Sequence, residues 1–323
     1  MSEKNTPLLR IENLNVHFPV AAGLFRKSKQ AVRAVNNFSL DLHKGECLSI
    51  VGESGCGKST LALSILGLQK PTSGTIYFEG KPITGEKGPS RLERAQMAQM
   101  VFQDPYASLN PRQTIYTSLA APLRLQGVTT KSELNDRVEN TMKLVGLKPE
   151  HAKRLPHEFS GGQRQRIGIA RALVLNPKVV VLDEPVSALD VSIRAQIINL
   201  LLELKDELQL SYIMISHDLS VVEHMSDRVA VMYFGQVVEQ GPWQDVFANP
   251  THPYTRRLMG AIPDPFAIVR GEERSGMDEA PPPPAGYDYY PREFGKHDVY
   301  TVPPVTELLP VADTHKVRFI AQR

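Results

Sequence analysis

Only two cysteines occur in the 323 residues, Cys47 in an apolar run and Cys56 inside a glycine-rich loop. Neither placement suits a disulfide framework or a zinc site, and a reducing cytoplasm is the simpler setting. No run approaches the roughly eighteen apolar residues of a membrane span. The first residues, Met1 to Pro7, lack the apolar core of a signal peptide. An excess of charge is missing too: 37 basic residues face 35 acidic ones, for a formal net charge of +2. That balance gives no electrostatic reason to expect nucleic acid as a partner. Internal repeats are absent. A hydrophobic content of 41% and a charged content of 22% fit a folded chain with a sizeable core, as one large domain or two smaller ones.

What the chain does have is the stretch Gly52-Glu53-Ser54-Gly55-Cys56-Gly57-Lys58-Ser59, which fits G-x-x-x-x-G-K-[ST]. The apolar run Cys47 to Val51 leads in like a buried strand, and Thr60 to Leu68 leads out with helical composition. Strand, glycine loop and helix together form the context a phosphate-binding loop requires. Its backbone N–H groups, from Gly52 through Gly57 to Thr60, curl inward at an anion, reinforced by the helix N-terminus. Lys58 is expected to reach the β- and γ-phosphates of a nucleotide, and the Ser59 hydroxyl to hold Mg²⁺.

Around that loop the pattern is mixed α/β. Leu8 to Phe18 alternates apolar and polar residues as a half-buried strand does, and Val20 to Gln30 reads as a basic loop. Phe38 to Leu42 is a second alternating segment, so an antiparallel sheet is expected on the nucleotide side. Phe18 is the best-placed aromatic to stack on adenine, with Phe25 as a rival; a core position for Phe18 is the competing reading. Thr75 to Gly80 and Met100 to Gln103 read as strands. From Asp104 to about Val174 the pattern is helical, with Leu134, Val138, Met142 and Val145 on one face.

Val179 to Asp183 reads as a central parallel strand, and Ser211 to Ser216 as another buried strand with His217 at its end. Ile193 to Leu208 is an amphipathic helix, and Arg228 to Gly241 reads as two strands joined at Gly235. After about Pro263 the prolines at 281–284, 291, 303–304 and 310 argue against long helices or central strands. That tail is expected to be an extended or partly disordered appendage laid over the globular part, contributing little to nucleotide chemistry.

Two further motifs narrow the chemistry. Asp183 and Glu184 close the run Val179 to Leu182, placing two carboxylates at the carboxyl end of a buried strand, where α/β sheets put their ligands. Ser160-Gly161-Gly162-Gln163 opens a helix with a hydroxyl and two glycines, a second phosphate-binding surface. One chain has little use for two such surfaces on one nucleotide unless two copies face each other.

In these motifs the sequence resembles the ATP-binding-cassette ATPases over roughly residues 8 to 262. Gly52 to Ser59 looks like Walker A, Gln103 like the Q-loop glutamine, and Ser160 to Gln163 like the signature. Asp183 and Glu184 look like Walker B with the catalytic glutamate, Ser187-Ala188-Leu189-Asp190 like the D-loop, and His217 like the switch histidine. Phe159 stands where the signature often has leucine. Val101 to Pro111, Pro156 to Phe159, and Asn249 to Leu258 are similar to segments of the dipeptide and oligopeptide importers.

The resemblance implies a P-loop NTPase core, an antiparallel β subdomain and a helical subdomain over about 104–175. These would form a nucleotide-binding domain over 1–262, followed by a Pro-rich C-terminal extension over 263–323. It implies ATP and Mg²⁺ as ligands, with Ser59, Gln103 and Asp183 around the metal and Glu184, His217 and Gln103 in catalysis. Asp190 and the SGGQ residues would meet a second, homologous or identical ATPase subunit. Two permease subunits and a periplasmic or extracellular solute-binding protein would complete an importer at the cytoplasmic face of the inner membrane. Many relatives carry cysteines in the extension, some ligating an iron–sulfur cluster; this chain has none after Cys56, so no cluster is expected. Importers of nickel, glutathione or opine-like solutes use closely similar ATPases. A non-transport ABC ATPase or a catalytically dead scaffold is the competing class.

Overall fold

The computed structural model describes residues 6–22, 26–85, 88–260, 280–291 and 304–322. Two long strands, β1 (Leu9–Ala22) and β2 (Arg26–Leu42), run into the short β3 (Cys47–Val51) and helix α1 (Lys58–Ile65). β4 (Ser73–Phe78) and β5 (Lys81–Pro82) lead through α2 (Arg91–Met97) to β6 (Ala98–Val101). Four helices follow: α3 (Pro105–Ser108), α4 (Ile115–Leu125), α5 (Lys131–Leu144) and α6 (Gly161–Leu173). The chain then alternates through β7 (Val179–Asp183), α7 (Val191–Glu207), β8 (Ser211–Ile215) and α8 (Leu219–Met225). The hairpin β9 (Arg228–Tyr233) and β10 (Gln236–Pro242) precedes α9 (Trp243–Ala248) and α10 (Pro253–Gly260). Strands β11 (Tyr287–Tyr289), β12 (Thr306–Pro310) and β13 (Lys316–Ala321) end it.

Two sheets result. One is antiparallel, in the order β2-β1-β4-β5; the other runs β11-β13-β10-β9-β3-β8-β7-β6, with β12 alongside β13. Within the second sheet β6, β7, β8, β3 and β9 are parallel neighbours. Their side chains divide by strict alternation. Leu48, Ile50, Val179, Val181, Ile213 and Ile215 pack against the antiparallel sheet. Cys47, Val51, Val180, Leu182, Tyr212 and Met214 pack toward the helices. Strands covered on both faces need apolar residues at nearly every position, which is why these segments read as continuous Val/Ile/Leu runs. On α5, Leu134, Val138 and Met142 are buried, and Val145 beyond its end joins them in the helical core.

Two expectations are corrected. The stretch Val20 to Gln30 is mostly strand, not loop: β1 and β2 stay paired as far as Ala21 opposite Lys27 and Ala22 opposite Arg26. An antiparallel ladder satisfies backbone N–H and C=O groups whatever the side-chain pattern, so a basic stretch can join it. Phe25 lies outside the described residues. The tail, in turn, contributes a flanked strand of the main sheet. β13 carries no proline and pairs with β10 through Glu239 opposite Val317, and with both β11 and β12. Alternation supplies the reason, since Val317 and Phe319 are fully buried.

The docking of this tail is tight enough to test. Phe319→Ala should cost about 3–5 kcal/mol as a buried aromatic truncation, read by denaturant unfolding of the full chain. An unchanged midpoint would mean that β13 is not part of the cooperative fold. His252, sealed beneath the Tyr290 carbonyl, is held neutral: burial drives its pKa from 6.5 down to about 4, against the opposing pull of Glu239. The unfolded chain therefore takes up a proton that the folded chain refuses. This contribution is complete above pH 6.5 and is lost as pH falls to about 4. The stability advantage of wild type over His252→Gln should accordingly shrink by roughly 3 kcal/mol between neutral pH and the lower value. A gap independent of pH would contradict a buried neutral imidazole.

Candidate functional site

The turn from β3 to α1 is shaped by two close approaches. A Cβ at Gly52, where φ is +150°, would lie 2.1 Å from the Met232 carbonyl oxygen on β9. One at Gly57, where φ is +108°, would lie 1.9 Å from the Ala34 carbonyl oxygen on β2. No other residue fits either position. The Gly235 amide donates to the Cys56 carbonyl at 2.9 Å, so the β9–β10 turn also holds the loop. Within this frame the Lys58 ammonium is buried and donates to the carbonyls of Gly52 and Glu53, both at 2.8 Å. The Cys56 sulfur lies 3.6 Å away. Burial raises the thiol pKa of Cys56, so it stays protonated and unreactive.

The loop opens on a cavity of ≈ 350 Å³. Gly52, Ser54, Gly55, Gly57, Lys58, Ser59 and Thr60 form one side; Gln103, Asp183, Glu184 and His217 form the other. These last four come from strand ends. Asp183 is the final residue of β7, His217 lies two residues beyond β8, and Gln103 two beyond β6. Expected as part of the strand, Gln103 instead lies past its end, and its side chain is free to turn inward.

There Gln103 Nε2 donates to Glu184 Oε2 at 2.7 Å, while His217 Nδ1 lies 2.9 Å from Glu184 Oε1. Both oxygens of one carboxylate are thus held, by residues 81 positions upstream and 33 downstream. Glu184 has φ +47°, an uncommon conformation for a side-chain-bearing residue. Its amide donates to the Ile215 carbonyl at 2.9 Å, and its carbonyl accepts from the Ser187 hydroxyl at 3.1 Å. Strain held by several contacts at one residue points to a functional constraint there. Asp183 titrates above the usual carboxylate range, chiefly from burial and then from the adjacent Glu184, with Lys58 opposing. A cation beside Asp183 would relieve that tension.

The signature residues form a capping box on α6: the Gln163 amide donates to Ser160 Oγ at 3.3 Å, and the Ser160 amide to Gln163 Oε1 at 3.0 Å. Ser160 to Gln163, Asp190 at the N-cap of α7, and the half-exposed Phe18 on β1 do not line the cavity. Neither do Glu53 and Cys56. Sequence reasoning missed Ala34 and Ile215, which line it. It also missed Tyr254, whose hydroxyl accepts the Glu53 amide hydrogen at 2.8 Å. The segment around Tyr254 carried a signal, but a partner 201 residues away did not. Beyond Gln103 lies a larger cavity of ≈ 1030 Å³, which Phe102, Asp104 and Arg171 also line.

The ABC transporter family model matches residues 35–187, and the model of the oligopeptide/dipeptide transporter C-terminal region matches 238–292. The dipeptide transport ATP-binding protein DppF of Haemophilus influenzae is 47% identical over 293 residues, covering 90% of this chain and 89% of its own. The glutathione import ATP-binding protein GsiA of Pectobacterium atrosepticum is 53% identical over 279 residues, 86% of this chain but 45% of that one. The chain therefore spans less than half the length of the glutathione-import relatives it matches. Among solved structures, cbiO1 of Clostridium perfringens, part of an ABC transporter complex, superposes with a TM-score of 0.65 at 31% identity. That match covers 82% of this chain and 99% of that one. A dimeric ATP-binding cassette bound to ADP and Pi gives 0.62 at 28% identity, over 73% and 98%. With a relative of nearly its own length matched almost end to end, the chain belongs to the ABC transporter family of ATP-binding proteins, with the C-terminal region of the oligopeptide/dipeptide transporters.

Proposed function

We propose that the chain is the ATP-hydrolysing subunit of an importer for dipeptides or oligopeptides. The observation that carries this reading is the Glu184 carboxylate, held by Gln103 and His217 on the wall facing the glycine loop. A charged group fixed at both oxygens opposite a phosphate cradle can orient a water and accept its proton. An importer for glutathione is the second reading, favoured by the relative of that printed function at 53% identity.

Lys58 would exchange its contacts with the loop carbonyls for the β- and γ-phosphates. The loop amides would bind the phosphate oxygens, and His217 would hydrogen-bond the γ-phosphate. The donor set fits Mg²⁺: a hydroxyl, an amide oxygen and a partly buried carboxylate from Ser59, Gln103 and Asp183 are hard oxygen ligands. Among the described residues no cluster of three or more His, Cys, Asp or Glu could hold a metal alone. That suits an ion completed by substrate phosphates and water. When bound, Mg²⁺ would neutralise charge on the phosphates. Positioning and electrostatics carry such a reaction, with no covalent bond from protein to phosphate.

The signature, from Ser160 to Gln163, and Asp190 lie off the cavity and would act on the nucleotide of a second ATPase subunit, paired head to tail. The solved cassette described as dimeric and bound to ADP and Pi supports the pairing of two such subunits. We further assign residues 1–262 to the nucleotide-binding domain, with its helical subdomain over about 104–175, and 263–323 to the extension. Among the described residues no helix is long and apolar enough to cross a membrane. Attachment would therefore run through permease subunits docking beside Gln103 to Asn110. There Phe102, which lines the larger cavity, and Tyr106 are exposed. A solute-binding protein would deliver the solute from outside.

Glu184→Gln keeps the size and most of the hydrogen bonding but loses the charge and the basicity. ATP hydrolysis should fall about 10²-fold or more while MgATP binding survives, as for loss of a general base. The variant should persist as a closed dimer with MgATP in size-exclusion chromatography; hydrolysis at the wild-type rate would refute the assignment. Lys58→Ala should do the reverse, weakening ATP binding by about 10-fold or more as a charge-assisted contact is lost, and leaving the subunits apart. An unchanged nucleotide affinity would remove Lys58 from the site.

A further inference from the structure

The His252-Pro253-Tyr254 segment at the start of α10 takes no part in the chemistry above, yet it grips the phosphate loop. Glu53, the second residue of the loop, has every polar group engaged. Its carbonyl accepts from Lys58 Nζ at 2.8 Å and from the Cys56 amide at 3.3 Å. Its amide donates to the Tyr254 hydroxyl at 2.8 Å, and its carboxylate pairs with Arg257 at 3.2 Å. Tyr254 and Arg257 both belong to α10. The Tyr254 side chain is fully buried, its ring centroid 4.2 Å from that of Tyr233, so the hydroxyl has little freedom to move.

Behind Tyr254 the contacts continue into the tail. Its amide donates to His252 Nδ1 at 3.2 Å, which leaves the proton on Nε2 to donate to the Tyr290 carbonyl at 2.7 Å. The Glu239 carboxylate, entirely buried on β10, accepts the amides of Thr251 at 2.7 Å and His252 at 3.0 Å. It also meets His315 Nε2 at 2.7 Å, from the turn before β13. One carboxylate therefore ties the tail to the segment that reaches the loop. Buried charge served by several donors in this way rigidifies what it joins.

From this geometry we infer that Tyr254 is a positioning residue for nucleotide binding: by accepting the Glu53 amide hydrogen it braces the first turn of the phosphate loop. This rests on the nucleotide reading given above. Tyr254 does not line the cavity, so it acts through Glu53. Its effect arises when Lys58 turns toward phosphate, because the Gly52 carbonyl, in the same peptide unit as the Glu53 amide, then loses its ammonium partner. The peptide unit between Gly52 and Glu53 must be held from elsewhere, and Tyr254 holds its N–H. A loop kept in its bound shape avoids the ordering cost of binding.

Tyr254→Phe removes the hydroxyl and keeps the ring. With the full chain and a non-hydrolysable ATP analogue plus Mg²⁺, Kd should rise about fivefold, the scale of one net hydrogen bond. The KM for ATP should rise in step while kcat stays within about twofold, a split that simple loss of stability does not produce. Exchange of the Glu53 amide hydrogen should accelerate. A Kd equal to wild type, with that amide exchanging faster, would overturn the brace while leaving the ATPase reading intact. Failure of the wild-type chain to bind the analogue would overturn both. Should Tyr254→Phe not fold, Arg257→Ala asks the question through an exposed contact to the same residue. A rise of about twofold at low salt that fades at high salt is expected, and no change at low salt overturns the inference.

Discussion

Close backbone approach at the phosphate loop is the constraint on which the rest depends. The loop between β3 and α1 is pressed against the carbonyls of Met232 on β9 and Ala34 on β2, with no room for a side chain at Gly52 or Gly57. These contacts come from both sheets, so the loop acquires its shape only when the antiparallel sheet has closed over the parallel one. The interleaved apolar side chains of β1, β2 and β4 with those of β3, β7 and β8 provide that closure. Burial of apolar surface between the sheets thus fixes a polar site whose own hydrogen bonds are individually modest.

The same sheet brings the polar groups of the cavity together. Parallel strands β6, β7, β3 and β8 all point their carboxyl ends one way, so residues just past them share one edge. Glu184 is set there in a strained backbone conformation and held by Gln103 and His217. Asp183 sits beside it in a low-dielectric position that disfavours its charge. Two adjacent, partly buried carboxylates, one flanked by hydrogen-bond partners and one desolvated, are thereby given different environments within one turn of chain.

Much of this was legible in the sequence because the signals are local. Continuous apolar runs marked β3, β7 and β8, since burial on both faces leaves no polar position to interrupt them. Spacing marked the α5 face, and Gly235 marked the β9–β10 turn. The pattern around Lys58 announced the phosphate loop, because glycines are needed wherever backbone must approach backbone. Asp183, Glu184, Gln103 and His217 were legible as polar residues ending apolar runs, and the cavity brings all four to one wall.

Other features were set only by tertiary structure. Val20 to Gln30 reads as loop by composition, but ladder pairing with a partner strand made most of it β. Prolines dominated the reading of the tail, while the six residues of β13 between them carried the alternation that docks Val317 and Phe319. The buried Glu239 and the hydroxyl of Tyr254 look ordinary in the sequence; their partners lie far along the chain, and pairing at that range leaves no local periodicity. The sequence by itself determined which residues are candidates for binding phosphate and activating water, because candidacy depends on functional groups and their neighbours. Only the folded chain decided which of them meet and which brace the loop from behind, because long-range contacts are fixed by how buried surfaces fit.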